Sequence, residues 1–72
     1  MNNVKYPKLR GRIAELGISQ TELAKILGIS VTAMNSKMNG RMAFVQRDIL
    51  KLSEVLNISA EEIGTFFYDL KV

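Results

Sequence analysis

The sequence predicts an all-α domain of five short helices, and three observations support this fold class. Apolar residues recur at spacings of three and four along most of the chain, which is the periodicity of one helix face. Ser residues followed three positions later by Glu mark two helix starts, and Gly or Asn follows most of the apolar runs. A length of 72 residues suits one domain, so we expect a single domain over residues 1–72 without a linker or repeat.

The first two helices have distinct start and stop signals. Pro7 suits the first position of helix one, and Gly17 suits the left-handed position after its end. Ser19 and Glu22 form a capping box at the start of helix two, and Gly28 can adopt the positive φ of a tight turn. The residues predicted to form the apolar sides of these helices are Leu9, Ile13, Leu16, Leu23, Ala24, Ile26 and Leu27.

The next three helices are predicted from similar signals. Ser30 is a suitable N-cap for helix three, which should end at Gly40. Helix four should run over about 45–56, and Ser59 opens a second capping box for a short helix five that reaches about Phe66. The residues predicted to face inward from helices three and four are Met34, Met38, Val45, Ile49, Leu52 and Leu56.

Composition excludes several classes of function. The chain has no Cys and no His, which removes thiol and imidazole nucleophiles, disulfides and zinc sites of the Cys/His type. No apolar run approaches the roughly 20 residues of a membrane span, and the N-terminus lacks a signal-peptide stretch. We also find neither a Gly-rich phosphate loop nor a nucleophile–base pair. We therefore expect a soluble cytoplasmic protein that is not an enzyme and has no metal, cofactor, small-molecule ligand or membrane partner.

Charge is unevenly distributed along the chain. The net charge is +3, but residues 1–41 carry seven Lys or Arg against two Glu, whereas residues 42–72 carry three against five acidic residues. A basic half joined to an acidic half favours one surface that faces a polyanion, although scatter in a small protein would look similar.

Residues 19–40 show the pattern of a helix-turn-helix, in which the second helix enters the DNA major groove. Opposite its two Met residues, helix three carries short side chains that are poor helix formers and that can contact base edges. An ordinary solvated helix face would more often carry Glu and Lys. The candidate base-contacting residues are Val31, Thr32, Asn35 and Ser36, and the candidate phosphate-contacting residues around them are Gln20, Lys37, Asn39 and Arg41.

A resemblance to a known family rests on three runs: Gln20-Thr21-Glu22-Leu23-Ala24, then Gly28-Ile29-Ser30, then Met34 with Asn39-Gly40. These residues resemble the phage repressor/Cro-type (Xre-like) helix-turn-helix family over roughly residues 7–66. The resemblance implies a compact five-helix lambda-repressor-like domain that binds double-stranded operator DNA and regulates transcription. By position it assigns Val31, Thr32, Asn35 and Ser36 to base reading and Gln20 to a phosphate.

Two departures from the family pattern concern the end of helix three. Lys37 occupies a position that is usually apolar, and the loop over 41–44 lacks the proline that many members carry. We therefore expect a different helix end and different phosphate contacts there, with Phe44 packing at the hydrophobic position before helix four.

The family usually acts as a two-fold dimer, and the candidate dimer surface is Ile63, Phe66, Phe67, Tyr68 and Leu70, most of it in the C-terminal tail over 66–72. Its residues alternate with a period of two, which indicates a short extended segment. Its aromatic residues could instead close the core of the domain itself. The residues assigned to a homodimer interface are Phe67, Tyr68 and Leu70.

The alternative function is a protein-interaction module that has the same fold, such as an antitoxin-like or adaptor protein. A DNA-reading protein should keep the outer face of helix three polar with basic flanks, whereas a protein-binding one should place an apolar patch there. Val31 and Met42 favour the second hypothesis to a limited degree.

Overall fold

A computed structural model describes residues 5–68, and the elements in this range are all helical. The predicted all-α fold of five helices is confirmed, within extents of 32 × 30 × 23 Å. No helix in this range is long and apolar enough to cross a membrane. The elements are α1 (Pro7–Leu16), α2 (Gln20–Leu27), α3 (Val31–Met38), α4 (Gln46–Val55), a 3₁₀ turn (Ala60–Glu62) and α5 (Ile63–Tyr68).

The helix boundaries follow the local signals in the sequence. Gly17 ends α1 with φ of 66°, as predicted. The Ser19 hydroxyl accepts from the Glu22 N–H at 3.1 Å, and the Glu22 carboxylate accepts from the Ser19 N–H at 3.0 Å. The backbone N–H of Ser19 holds the pKa of Glu22 below its ordinary value. Asn57, with φ of 56°, follows α4 and turns the chain toward the 3₁₀ turn.

The core is centred on α2, which packs against both α3 and α4, while α5 packs against α1 and α4. Met34 and Met38 are buried, so the predicted inner face of α3 is confirmed. Leu16 and Val45 were expected to face the core, but they are 48% and 52% exposed. Val45 is the N-cap of α4 rather than a residue of its inner stripe. The buried apolar residues are Leu9, Leu23, Ala24, Leu27, Met34, Met38, Ile49, Leu52, Leu56, Ile58, Phe66 and Phe67.

An aromatic cluster closes one side of the core and corrects the prediction for the tail. Phe44 makes edge-to-face contacts with Tyr6 and Phe67, with ring centroids 5.2 and 5.6 Å apart, and it lies just before the N-cap of α4 as predicted. Phe67 is only 3% exposed, so its assignment to a dimer interface is wrong, because its ring is part of the domain's own core. Residues 66–68 are helical rather than extended. Tyr68 is 60% exposed and remains a candidate, while Leu70 and the rest of the tail lie outside the described residues.

Candidate nucleic-acid interface

The turn between α2 and α3 has the geometry that the sequence predicts. Gly28 adopts φ of 70° and donates its N–H to the Lys25 carbonyl at 3.1 Å. The Ile29 N–H donates to the Ala24 carbonyl at 3.0 Å. Because the side chain of Ser30 accepts from the Ala33 N–H at 3.0 Å, α3 begins at once after the turn. The two helices are therefore held in a helix-turn-helix arrangement by short-range hydrogen bonds.

The outer side of α3 is exposed and carries short side chains. Thr32 and Asn35 are exposed, and Val31 is 49% exposed in the first turn of the helix. Ser36 is half-buried. Its backbone carbonyl accepts from the N–H groups of Arg41 and Met42, at 2.9 and 3.2 Å. Val31, Thr32 and Asn35 are thus available to a ligand in the described conformation, and Ser36 only in part.

Lys37 does not lie on this surface, which corrects its assignment as a phosphate contact. It is only 6% exposed, and its Nζ lies 2.7 Å from Oδ2 of Asp48 in α4. The same Nζ donates to the carbonyl oxygen of Ala43 at 3.0 Å. A phosphate could reach this ammonium group only if the ion pair opened, so Lys37 belongs to the interior.

Asp48 is the partner that the sequence prediction missed. Burial would raise the pKa of its carboxyl, but hydrogen bonds from Lys37 and from the Val45 N–H, together with nearby positive charge, hold that pKa below its ordinary value. A signal for the pair was present in the sequence. Lys37 lies three residues after Met34 and next to Met38, so helical periodicity places it on the buried face. A charge on such a face needs an acidic partner.

Gln20 also differs from its predicted placement. The residue is half-buried, and its Nε2 atom is fully buried without a hydrogen-bond partner in the described range. The side chain lies at a shallow cleft that Arg10, Ile13, Leu23 and Met38 also line. The described rotamer does not present the amide to a phosphate, and contact would require the side chain to rotate outward.

Two arginines in the basic half of the chain bind helix ends. Nη2 of Arg10 donates to the Met38 carbonyl at 3.0 Å and to Oδ1 of Asn39 at 3.1 Å, at the end of α3. Nη1 of Arg12 donates to the carbonyls of Leu56 and Asn57, both at 2.8 Å, at the end of α4. Cationic donors complement the partial negative charge of a helix C-terminus. Like Lys37, these two basic residues of positions 1–41 therefore donate hydrogen bonds within the domain.

Of the four candidate phosphate-contacting residues, Asn39 and Arg41 are the two whose exposure suits that role. Both are exposed in the connection between α3 and α4, although the Asn39 side chain is engaged by Arg10. The same connection also exposes apolar side chains. Met42 is 45% exposed and Val45 is 52% exposed. The surface around α3 thus combines small polar groups, the exposed basic side chain of Arg41 and exposed apolar groups.

Fold and site together define a small all-α protein with a helix-turn-helix-like arrangement. The chain belongs to a family described as a protein of unknown function (DUF739), whose model matches residues 3–70. No curated protein matches the chain.

Proposed function

We propose that the protein is a sequence-specific regulator of transcription that binds double-stranded DNA and inserts α3 into the major groove. The observation that carries this proposal is the division of α3 into two sides. Met34 and Met38 are buried in the core, while Thr32 and Asn35 are exposed. The helix that carries them follows a tight turn and is capped by Ser30. A binding role rather than catalysis is part of the proposal.

The exposed residues have chemistry that can read base pairs. Asn35 can form two hydrogen bonds with an adenine edge, and Thr32 can bond to several base edges. Val31 can contact the methyl group of thymine. Arg41 would then bind the phosphate backbone beside this helix, where it would supply affinity and register rather than sequence discrimination.

The proposed assembly is a small dimeric repressor on a palindromic operator, in the cytoplasm of a prokaryotic cell or phage-infected host. Two copies would read half-sites about 34–36 Å apart. The exposed Tyr68 at the end of α5 is the described residue that supports a homodimer contact there.

A protein-interaction module is the second candidate, because apolar groups are exposed near the reading residues. Val31, Met42 and Val45 are each about half exposed, and Lys37 supplies no basic flank because it is buried. Apolar surface of this kind is typical of protein contacts. This candidate requires an apolar partner surface in place of a DNA groove.

The experiment that separates the two candidates is selection of binding sites from a pool of random duplexes at two salt concentrations. Enrichment of a palindromic sequence supports the dimeric DNA-binding regulator. Enrichment of a single half-site supports DNA binding by a monomer. Failure to enrich any sequence at the lower salt concentration contradicts the first proposal and favours the protein-interaction module.

A point variant tests the proposed reading residue. We expect Asn35→Ala to weaken binding to the selected duplex by about 1–3 kcal/mol and to relax the preference at one base position. Dissociation constants for the selected duplex and for duplexes changed at single positions provide the measurement. Lys51→Ala removes an exposed residue of α4 and serves as the control for sequence preference. An unchanged preference in Asn35→Ala would show that Asn35 reads no base.

A further inference from the structure

We infer that Lys37 and Asp48 are positioning residues of the DNA interface. Their buried ion pair anchors residues 43–45 of the connection to α3 and α4. It thereby completes the ordering of the segment from which Arg41 would meet the phosphate backbone. The inference rests on the proposed function. It assigns the two residues a role that depends on geometry and not on contact with DNA.

The pair joins three separate segments at one point. Lys37 lies in the last turn of α3, and its ammonium group donates to the Asp48 carboxylate and to the Ala43 carbonyl. The same Oδ2 of Asp48 accepts from the Val45 N–H at 3.1 Å. The ion pair therefore binds the end of α3, the end of the connection and the first turn of α4.

The first part of the connection is held by backbone hydrogen bonds to α3. Gly40 has φ of 79° and donates its N–H to the Lys37 carbonyl at 3.2 Å. The N–H groups of Arg41 and Met42 both donate to the Ser36 carbonyl. The buried pair thus completes an anchorage that begins at the helix end, and it holds the part of the loop beyond Met42.

Stability alone does not account for a buried charged pair at this position. Removing two charges from water is costly, and apolar residues of similar size often replace such a pair without loss of stability. Apolar residues cannot replace the directional hydrogen bonds that Lys37 donates to the Ala43 carbonyl and that Asp48 accepts from the Val45 N–H. A loop that is already ordered loses less conformational entropy when it binds a ligand. Anchoring the connection between α3 and α4 should therefore raise the affinity for DNA.

The main test is the double variant Lys37→Met/Asp48→Leu, which keeps the net charge unchanged. We expect it to fold, to exchange the amide hydrogen of Val45 faster than the wild type, and to bind the wild-type-selected duplex about tenfold more weakly. The slope of log affinity against log salt should stay the same, because no phosphate contact is lost. Unchanged amide exchange or unchanged affinity would overturn the inference.

Two controls match the double variant in charge and in stability. Lys51→Gln/Glu54→Gln removes one exposed charge of each sign from α4, and it should leave loop exchange and affinity unchanged. Ile58→Val alters a buried residue of the connection after α4 and should lower the melting temperature without changing affinity well below that temperature. If either control weakened binding as much as the double variant, the effect would not belong to the loop and the inference would fail.

The single variant Asp48→Asn separates positioning from direct electrostatics, and it serves if the double variant does not fold. Removing a negative charge near a polyanion should tighten binding if Lys37 and Asp48 act only through charge. Positioning predicts weaker binding together with faster exchange of the Val45 amide. Tighter binding would therefore overturn the inference.

The proposed function and this inference can fail separately. If the wild type binds no duplex in the selection, the proposed function fails and the role of the pair in DNA binding fails with it. Amide exchange in the variants still tests the anchorage of the loop in that case. If the wild type binds DNA but the double variant binds equally well, only the inference fails.

Discussion

The two ends of α3 are held in different ways. At its N-terminus, the Ser30 side chain accepts from the Ala33 N–H, a contact between residues three positions apart. At its C-terminus, the Met38 carbonyl accepts from Arg10 of α1, and Lys37 pairs with Asp48 of α4. The first end depends on its own sequence, whereas the second depends on two other helices.

This difference matters for a helix that is proposed to enter a groove. The N-terminal half of α3 carries Val31 and Thr32, and a local cap fixes where that half begins. The C-terminal half leads into the connection that carries Arg41, and tertiary contacts fix its course. The placement of Val31 and Thr32 and the placement of Arg41 therefore have separate structural causes, while Asn35 lies in the C-terminal half of α3.

The largest expected effect tests the C-terminal end. Asp48→Ala leaves the ammonium group of Lys37 buried without its counter-ion, and we expect a loss of about 3–5 kcal/mol in the free energy of unfolding. Urea denaturation followed by far-UV circular dichroism measures this loss. The double variant Lys37→Met/Asp48→Leu should recover most of it, because no unpaired charge remains. Equal destabilisation of both variants would show that the lost hydrogen bonds, rather than the unpaired charge, are responsible.

The second effect is a loss of stability in acid that depends on the same end. Because the pKa of Asp48 is lowered in the folded state, the unfolded state binds more protons than the folded state at acidic pH. The contribution is complete above the unfolded pKa of about 3.9 and is lost as the pH falls through the folded pKa. We expect it to be smaller than the effect of Asp48→Ala, since a protonated carboxyl still forms hydrogen bonds.

Asp48→Asn provides the comparison for this acid effect. The difference in unfolding free energy between wild type and Asp48→Asn should shrink between pH 5 and pH 2, measured by urea denaturation at each pH. Glu22 and Glu62 also have lowered pKa values, so the wild type alone would not isolate Asp48. A difference that stays constant down to pH 2 would contradict the assigned role of the charge.

The smallest expected effect tests the N-terminal end. Ser30→Ala removes one local cap from α3 and should lower the free energy of unfolding by about 1 kcal/mol. Ser30→Asp keeps an acceptor at the N-cap and should restore stability, again measured by urea denaturation. A loss as large as that of Asp48→Ala would mean that the two ends do not differ as described.

The local elements were predictable because their causes are close in sequence. The capping box of Ser19 and Glu22 and the positive φ of Gly28 need no distant partner. The inward direction of Met34 and Met38 follows from helical periodicity alone. These signals were sufficient for the five helices, the turn and the exposed positions of Thr32 and Asn35.

The site predictions that the structure contradicts, for Lys37 and Phe67, concern residues whose surroundings come from elsewhere in the chain. Lys37 was assigned to the surface because it is charged, but α4 supplies a carboxylate that makes its burial possible. Phe67 was assigned to a partner because three aromatic residues are adjacent in the sequence. Its ring instead packs edge-to-face against Phe44 inside the domain. Gln20 has its amide covered at the cleft between α1 and the end of α3.

The sequence by itself determined the all-α fold, the starts of α2 and α3 and the side of α3 that faces the core, because hydrogen bonds and periodicity within a few residues decide them. Tertiary structure alone decided which basic residues remain available to a ligand. Arg10 and Arg12 bind helix ends and Lys37 binds Asp48, whereas Arg41 stays exposed. The physical reason is that the sequence shows which side chains are charged. Whether a ligand can reach a basic side chain depends on which acceptors the other helices bring within hydrogen-bond distance of it.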